Sequence, residues 1–516
     1  MDEVIPATPQ APAAQAYGEY PEPGRRALIT AGLVLTTLMT AIDGTIANTV
    51  LPQIRASVSA SQDEILWVLT SFILASTVVT PAIGWLERYF GRRNLLLFAL
   101  VGFTAASVLC GIATGIVELV VYRVLQGATA AVFIPLSQAI LLDINPPEDH
   151  ARAMSIWGMG AVLGPILGPI LGGLLTEHLN WRWVFFINIP IAVVGFLIMA
   201  ATLPRRTRRE QQKFDGFGFI ALLVALVGLQ LVLDRGPGAE WFSSVEIWIY
   251  AGFAALGAHI FFVHIFTTER PIIHPSILGD RNYLLAAFMI LLIGVLMFAG
   301  MAVLPTMMQG LLGYPVLTAG MTQASRGVGT FISMFLVGRL SGKFDNRLII
   351  FVGISLTGLS YYLMSGFSLQ MDQAPIVVSG LFQGLGLGLV FIPLMSIAFT
   401  TIQPALRTEA ASFFTLIRNI GSSLGISVVG ALQIYNSRIV SSQLMEHATP
   451  DNPNVIASLP PALDLTSAAG QATMTGMIER QAAMVAYIDS FHMLFIMCLI
   501  ILPVLLFLRT KRAPHA

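Results

Sequence analysis

Asp43 is the residue in this chain whose type and setting most demand a chemical explanation. It lies in AIDGTIANTVLP, about 16 residues into an apolar run and so roughly 24 Å along a helix that rises 1.5 Å per residue. An ionisable side chain at membrane depth costs several kcal/mol, so it is kept only where it titrates or is permanently neutralised. Arg123, in a later apolar run that crosses in the opposite sense, falls at a comparable depth. Gln126 and Gly127 follow it at i+3 and i+4, giving a polar face with room for close approach. The pair suits a carboxylate whose proton affinity is set by desolvation and a neighbouring cation, loading and releasing a proton as access alternates. A fixed structural ion pair is the alternative. Arg326 and Arg418 also fall near mid-span, and Asp489, near the outer end of the last span, is the nearest acidic match. They either face an aqueous cavity or anchor against backbone carbonyls. Asn48, Gln126 and Gln383 complete the polar groups expected around such a cavity.

A second feature is GMGAVLGPILGPILGG. Gly160, Gly164, Gly168 and Gly172 recur every fourth residue, and Gly173 follows. Pro165 and Pro169 interrupt the backbone hydrogen bonding. Small residues at this spacing let helix backbones approach, and interior prolines bend a helix. A hinge or sliding contact between two halves of the molecule follows; static tight packing would account for the glycines alone.

The elements that must position these residues are set by composition. The chain has 516 residues, of which 55% are hydrophobic and 11% charged, with a mean hydropathy of +0.77. That excludes an ordinary soluble domain and makes lipid the solvent. Crossing a core of roughly 30 Å takes about 20 apolar residues with closed backbone bonding. Fourteen segments qualify, near 27–50, 65–85, 95–114, 117–140, 153–175, 184–203, 216–234, 245–267, 283–308, 317–339, 347–367, 375–399, 408–434 and 486–508. Twenty of the 28 Lys and Arg residues fall in the tails and the loops sharing their side, and five fall in the opposite loops. The positive-inside bias therefore places both termini in the cytoplasm. Residues 1–26, rich in Pro and Ala, read as a disordered cytoplasmic tail, and 509–516 as a second tail.

The chain repeats itself. QGATAAVFIPL from Gln126 returns as QGLGLGLVFIPL from Gln383. Gly164 and Gly168 return as Gly421 and Gly425, and GWLERYFGRRN from Gly84 returns, weakened, as GRLSGKFDNRL from Gly338. Two six-helix bundles, 27–203 and 283–508, are thus parallel repeats, with helices over 216–267 inserted between them. The stretch 435–485 reads as a periplasmic loop within the second bundle.

Several function classes fall away. The charge is balanced, which gives no footprint for nucleic acid. No phosphate-binding loop, metal-ligand cluster or nucleophile motif appears, so neither catalysis nor ATP hydrolysis is expected, no cofactor is called for, and a proton gradient is the expected energy source. Cys110 and Cys498 read as small apolar fillers, and His264 and His492 as packed residues. A non-transport membrane sensor would not need an internal repeat or a glycine-proline hinge.

These segments together resemble the major facilitator superfamily, specifically the fourteen-span drug:proton antiporters of the EmrB/QacA type. AIDGTIANTVLP is similar to that group's first-helix motif through Asp43, Thr45, Asn48 and Pro52. YRVLQG is similar to its fourth-helix motif, and GPILGPILGG to its fifth-helix antiporter motif through Gly164, Pro165, Gly168, Pro169, Gly172 and Gly173. The gating loop is represented by Gly84, Glu87, Arg88, Gly91, Arg92 and Arg93, but Arg88 stands where the family usually has Asp. The resemblance implies an all-α, fourteen-helix exporter of hydrophobic or amphipathic drug-like compounds in the bacterial inner membrane. It also implies a periplasmic membrane-fusion adaptor of the EmrA type and an outer-membrane channel of the TolC type. Export of an endogenous lipid, siderophore or other metabolite by the same fold is the alternative.

Overall fold

The computed structural model describes residues 20–60, 62–204, 213–236, 238–269, 271–340, 343–447 and 467–508. Its long elements are helices, and no strand occurs among the described residues. We number the membrane-scale helices α1 (Pro23–Thr49), α2 (Trp67–Phe90), α3 (Arg92–Ile112), α4 (Ile116–Ile144), α5 (His150–His178), α6 (Trp183–Thr202), α7 (Gly216–Arg235), α8 (Val245–Thr267) and α9 (Arg281–Leu311). They continue with α10 (Val316–Leu340), then α11 (Asn346–Met364), α12 (Ala374–Thr400), α13 (Pro404–Glu446) and α14 (Ala468–Phe507). Thirteen of these are long and apolar enough to cross a membrane. The remaining one, α10, carries Arg326 and Arg339 and is correspondingly less apolar, yet its 25 residues reach about 37 Å and it packs against α5 and α12.

Local chemistry sets the ends of several helices. Side chains of Asp215, Ser244, Asp280 and Asp345 accept backbone N–H groups at the starts of α7, α8, α9 and α11, which satisfies donors the first turn leaves open. Gly91 breaks α2 from α3 with φ +78°, a conformation that residues with a Cβ rarely adopt.

The sequence repeat is a repeat of packing. In the first bundle α1 lies on α5 and α6, α2 on α4, and α3 on α4 and α6. In the second, α9 lies on α13 and α14, α10 on α12, and α11 on α12 and α14. The halves meet at two seams. Along one, α5 packs on α10 from Arg152 and Ser155, opposite Gly338, to Pro169, opposite Gly320. At the other, α13 meets α2 chiefly at its Thr80–Phe90 end. The inserted α7 packs on both α2 and α13, with α8 behind it.

Two expectations are corrected. The stretch 435–485 is not an irregular loop where it is described: the helix of α13 runs on to His447, and α14 begins at Ala468. Residues 448–466 lie outside the described residues. Hydropathy ended these helices early because their outer portions are polar, yet a polar sequence still forms helix when helix formers dominate. The first helix likewise begins at Pro23, inside the expected tail 1–26, since proline is favoured in a first turn. The rest of that expected tail up to residue 19, and the tail 509–516, lie outside the described residues.

A buried carboxylate cluster as candidate functional site

Asp43 is wholly buried, as is Arg123. Arg123 donates to Asp43 Oδ2 at 2.7 Å. The other oxygen, Oδ1, accepts from Gln126 Nε2 and from Asn188 Nδ2, each at 2.9 Å. Four helices converge to make this site: α1 brings the acid, α4 the arginine and glutamine, α6 the asparagine, and α3 brings Ser107. The Ser107 hydroxyl accepts from both amide side chains and donates to the Phe185 carbonyl at 2.9 Å. Arg123 is held from its other side too. Its Nε donates to the Val68 carbonyl at 2.9 Å, a second N–H donates to Gln126 Oε1, and Phe72 stacks 4.3 Å from the guanidinium carbon. Such satisfaction is what a buried ion pair requires, because unpaired charge in a low dielectric is costly.

Asp43 and Arg123 are thus brought together as the sequence suggested, and Gln126 joins them as a ligand of the carboxylate. Asn48, by contrast, is exposed one turn further along α1. Ser107 and Asn188 did not stand out in the sequence, because neutral polar residues in spans are common.

The glycine face of α5 lies elsewhere than expected. A methyl added at Gly160, Gly164, Gly168 or Gly172 would strike Val34, Ala41 and Ile42, Thr45 and Ile46, or Ile46 and Thr49, all on α1. Those glycines seat α1 within its own half and are not the contact between halves; Gly173 meets nothing within 4 Å. The contact between halves is made by a neighbouring face of α5, where Ile166 and Pro169 meet Gly327 and Gly320 of α10. A four-residue spacing defines a face of a helix but not its partner, which is why the interface was misplaced. α5 stays helical throughout despite Pro165 and Pro169.

On the side of the termini the halves are tied by charge. Arg88 pairs with Glu409 of α13, and a methyl at Gly84 would strike the same glutamate. Asp143 accepts from Arg92 of its own half and, at 2.8 Å, from Arg407 of the other. Glu87 pairs with Arg92, and Arg93 donates to the Ala200 carbonyl at 2.8 Å. Arg88 therefore still makes an ion pair across the seam, with the acid supplied by the opposite half.

The second half arranges its charges differently. Arg326 donates to the Met297 carbonyl of α9 at 2.9 Å, beside the Tyr361 hydroxyl, which donates to the Leu296 carbonyl at 2.5 Å. Gln383 is buried near Gly300 and the Tyr361 hydroxyl. Arg418 donates to Asn419 Oδ1 at a long 3.3 Å, and its Nε has no partner. Asp489, the nearest acidic match in the sequence, instead accepts from Asn436 at the opposite end of α13.

Comparison with known proteins agrees with this architecture. The Major Facilitator Superfamily profile matches residues 33–426. The chain is 32% identical over 432 residues to the multidrug export protein EmrB of Escherichia coli, covering 83% of this chain and 84% of that one. It is 33% identical over 427 residues to the fatty acid resistance protein FarB of Neisseria gonorrhoeae, covering 82% and 84%. Among solved structures, the human organic anion transporter MFSD10 superimposes with a TM-score of 0.58 at 15% identity, over 93% of this chain and all of that one. A bacterial homolog of the human lysosomal transporter Spinster does so with a TM-score of 0.56 at 17% identity, over 96% of this chain and all of that one. With its repeated six-helix halves, its inserted helix pair and its buried Asp43 cluster, the chain belongs to the Major Facilitator Superfamily, as an EmrB-like drug transporter.

Proposed function

We propose that this protein exports hydrophobic and amphipathic compounds across the bacterial inner membrane, driven by protons that exchange at Asp43. The names of its relatives, multidrug export and fatty acid resistance, support that cargo class. The observation that carries the mechanism is the division of the cluster between movable parts. Asp43 rides on α1, which the glycine face seats on α5. Arg123 is fixed to α2 through the Val68 carbonyl and the Phe72 ring. A relative shift of α1 against α2 and α4 would draw the carboxylate off the guanidinium. A bare charge is too costly at that depth, so a proton must replace the lost cation. In the present conformer the seam on the terminal side is bridged by ion pairs and Asp43 is fully ligated. We read this as the deprotonated state closed to the cytoplasm, with both termini on the cytoplasmic side.

The replacement Asp43→Asn tests this. Substrate-induced proton release from reconstituted vesicles should fall about a hundredfold, the scale on which a positioned proton carrier contributes to a rate, while membrane insertion is retained. Undiminished release would remove Asp43 from the mechanism.

The helical portions beyond residue 434 of α13 and before 486 of α14 lie side by side, with Arg438, Glu446 and Glu479 lining one cavity, and project from the side opposite the termini. We assign them to contact with a periplasmic adaptor, leading to an outer-membrane channel. Shortening both helices by two turns should abolish copurification with the adaptor; retained copurification would refute the assignment.

A further inference from the structure

We infer that Arg418 is the recognition group for an anionic substrate head, so that this transporter distinguishes a carboxylate-bearing amphiphile from its neutral and cationic analogues. The inference rests on the export reading and adds the residue that selects among cargoes.

Arg418 lies 11 residues beyond Arg407, which pairs with Asp143 at the closed seam. At 1.5 Å per residue that is about 17 Å into the bilayer, near its middle. The repeat relates Gly421 to Gly164, and Gly164 packs on Ala41 and Ile42. Arg418, three residues earlier, therefore sits roughly one turn below the level of Asp43. Arg418 is half-buried as a residue, has no carboxylate within ion-pair distance among the described residues, and its Nε is buried without a hydrogen bond. A guanidinium in that condition is costly at membrane depth, so the position calls for an anionic partner.

A second positive charge lies close by. The Arg418 backbone abuts Gly294 of α9, and Arg326 bonds to Met297, one turn along the same helix. Two arginines thus flank one turn of α9 at mid-membrane, and among the described residues no acid pairs with either. In the first half the equivalent depth is neutralised by Asp43. An anion bound at Arg418, with the Asn419 amide beside it, would supply the missing charge through charge-assisted hydrogen bonds. Its apolar tail would lie against surrounding hydrophobic side chains such as Leu291 and Ile420.

The test uses full-length protein in nanodiscs, with empty discs subtracted, and radiolabelled decanoate, decanol and decyltrimethylammonium as probes. Wild type should bind decanoate about tenfold or more tightly than decanol. Arg418→Gln should lose that preference while keeping its affinity for decyltrimethylammonium, and Arg418→Lys should restore part of it. Equal wild-type affinity for decanoate and decanol would overturn the inference, even if the glutamine variant failed to fold. So would a glutamine variant that retains the preference, or one that is folded and weakens all three probes alike. Because binding is read without a gradient, failure of proton coupling at Asp43 would leave this result standing.

Discussion

The two halves share a helix arrangement, yet they hold their mid-membrane charge in opposite ways. Sliding Gln126 onto Gln383 carries Arg123 onto Gly380, and sliding Gly84 onto Gly338 carries Phe72 onto Arg326 and Ser107 onto Tyr361. Packing supports this register: Gly127 abuts the backbone of Phe72, and Gly384 abuts that of Arg326. The arginine has changed helices, from α4 in the first half to α10 in the second, and still bonds to the first helix of its bundle. What it meets there differs. Gly164 packs on Ala41 and Gly421 on Leu291, so Ile293 takes the place of Asp43, and Arg326 bonds to a backbone carbonyl instead. A carbonyl does not titrate, so at this depth the second half has no counterpart of the Asp43 carboxylate among the described residues and its arginines stay without an acidic partner.

The sharpest way to break this comparison is to remove each arginine in turn. Arg123→Gln strands a buried carboxylate and should cost about 3–5 kcal/mol, whereas Arg326→Gln gives up a bond to a carbonyl and should cost about 1–3 kcal/mol. Denaturant unfolding of the purified protein measures both, and equal losses would contradict the asymmetry. The closed seam offers a test of intermediate size. Arg88→Glu faces Glu409 with a like charge and should weaken closure by about 1–2 kcal/mol, in line with partly buried ion pairs. The exchange Arg88→Glu with Glu409→Arg should recover most of it, as read by crosslinking between cysteines placed across the seam. The smallest effect is expected at Gly173. Alanine there meets no neighbour and should leave stability within about 1 kcal/mol, on the favourable side. Alanine at Gly164 should destabilise and slow transport, because its methyl strikes Ala41 and the Ile42 backbone.

How much of this was legible in the sequence depends on the kind of signal. Asp43 and Arg123 could be paired in advance because charge in an apolar run is conspicuous and helix rise gives depth. Ser107 and Asn188 could not, since convergence of α3 and α6 on one carboxylate is a property of three-dimensional packing. Glu409 was missed for a related reason: it sits in the first turn of a span, where acids are ordinary, and its partner is 321 residues away. The helix pair beyond the membrane was taken for a loop because hydropathy reports burial in lipid, not backbone conformation. The helix order and the repeat were plain because both depend on composition and period alone.

The inserted α7 reaches both halves at one seam, while the opposite seam closes by direct contact of α5 with α10. The insert is also tethered to the closed end: Asp215, which starts α7, accepts from the backbone of Ile272, and the next-but-one residue, His274, donates its N–H to Glu409. Viewed along the bilayer normal, the transporter thus has a fastened flank and a bare one. Any movement of one half against the other would strain or release that fastening at a single edge of the molecule, and lipid meets a different surface on its two sides.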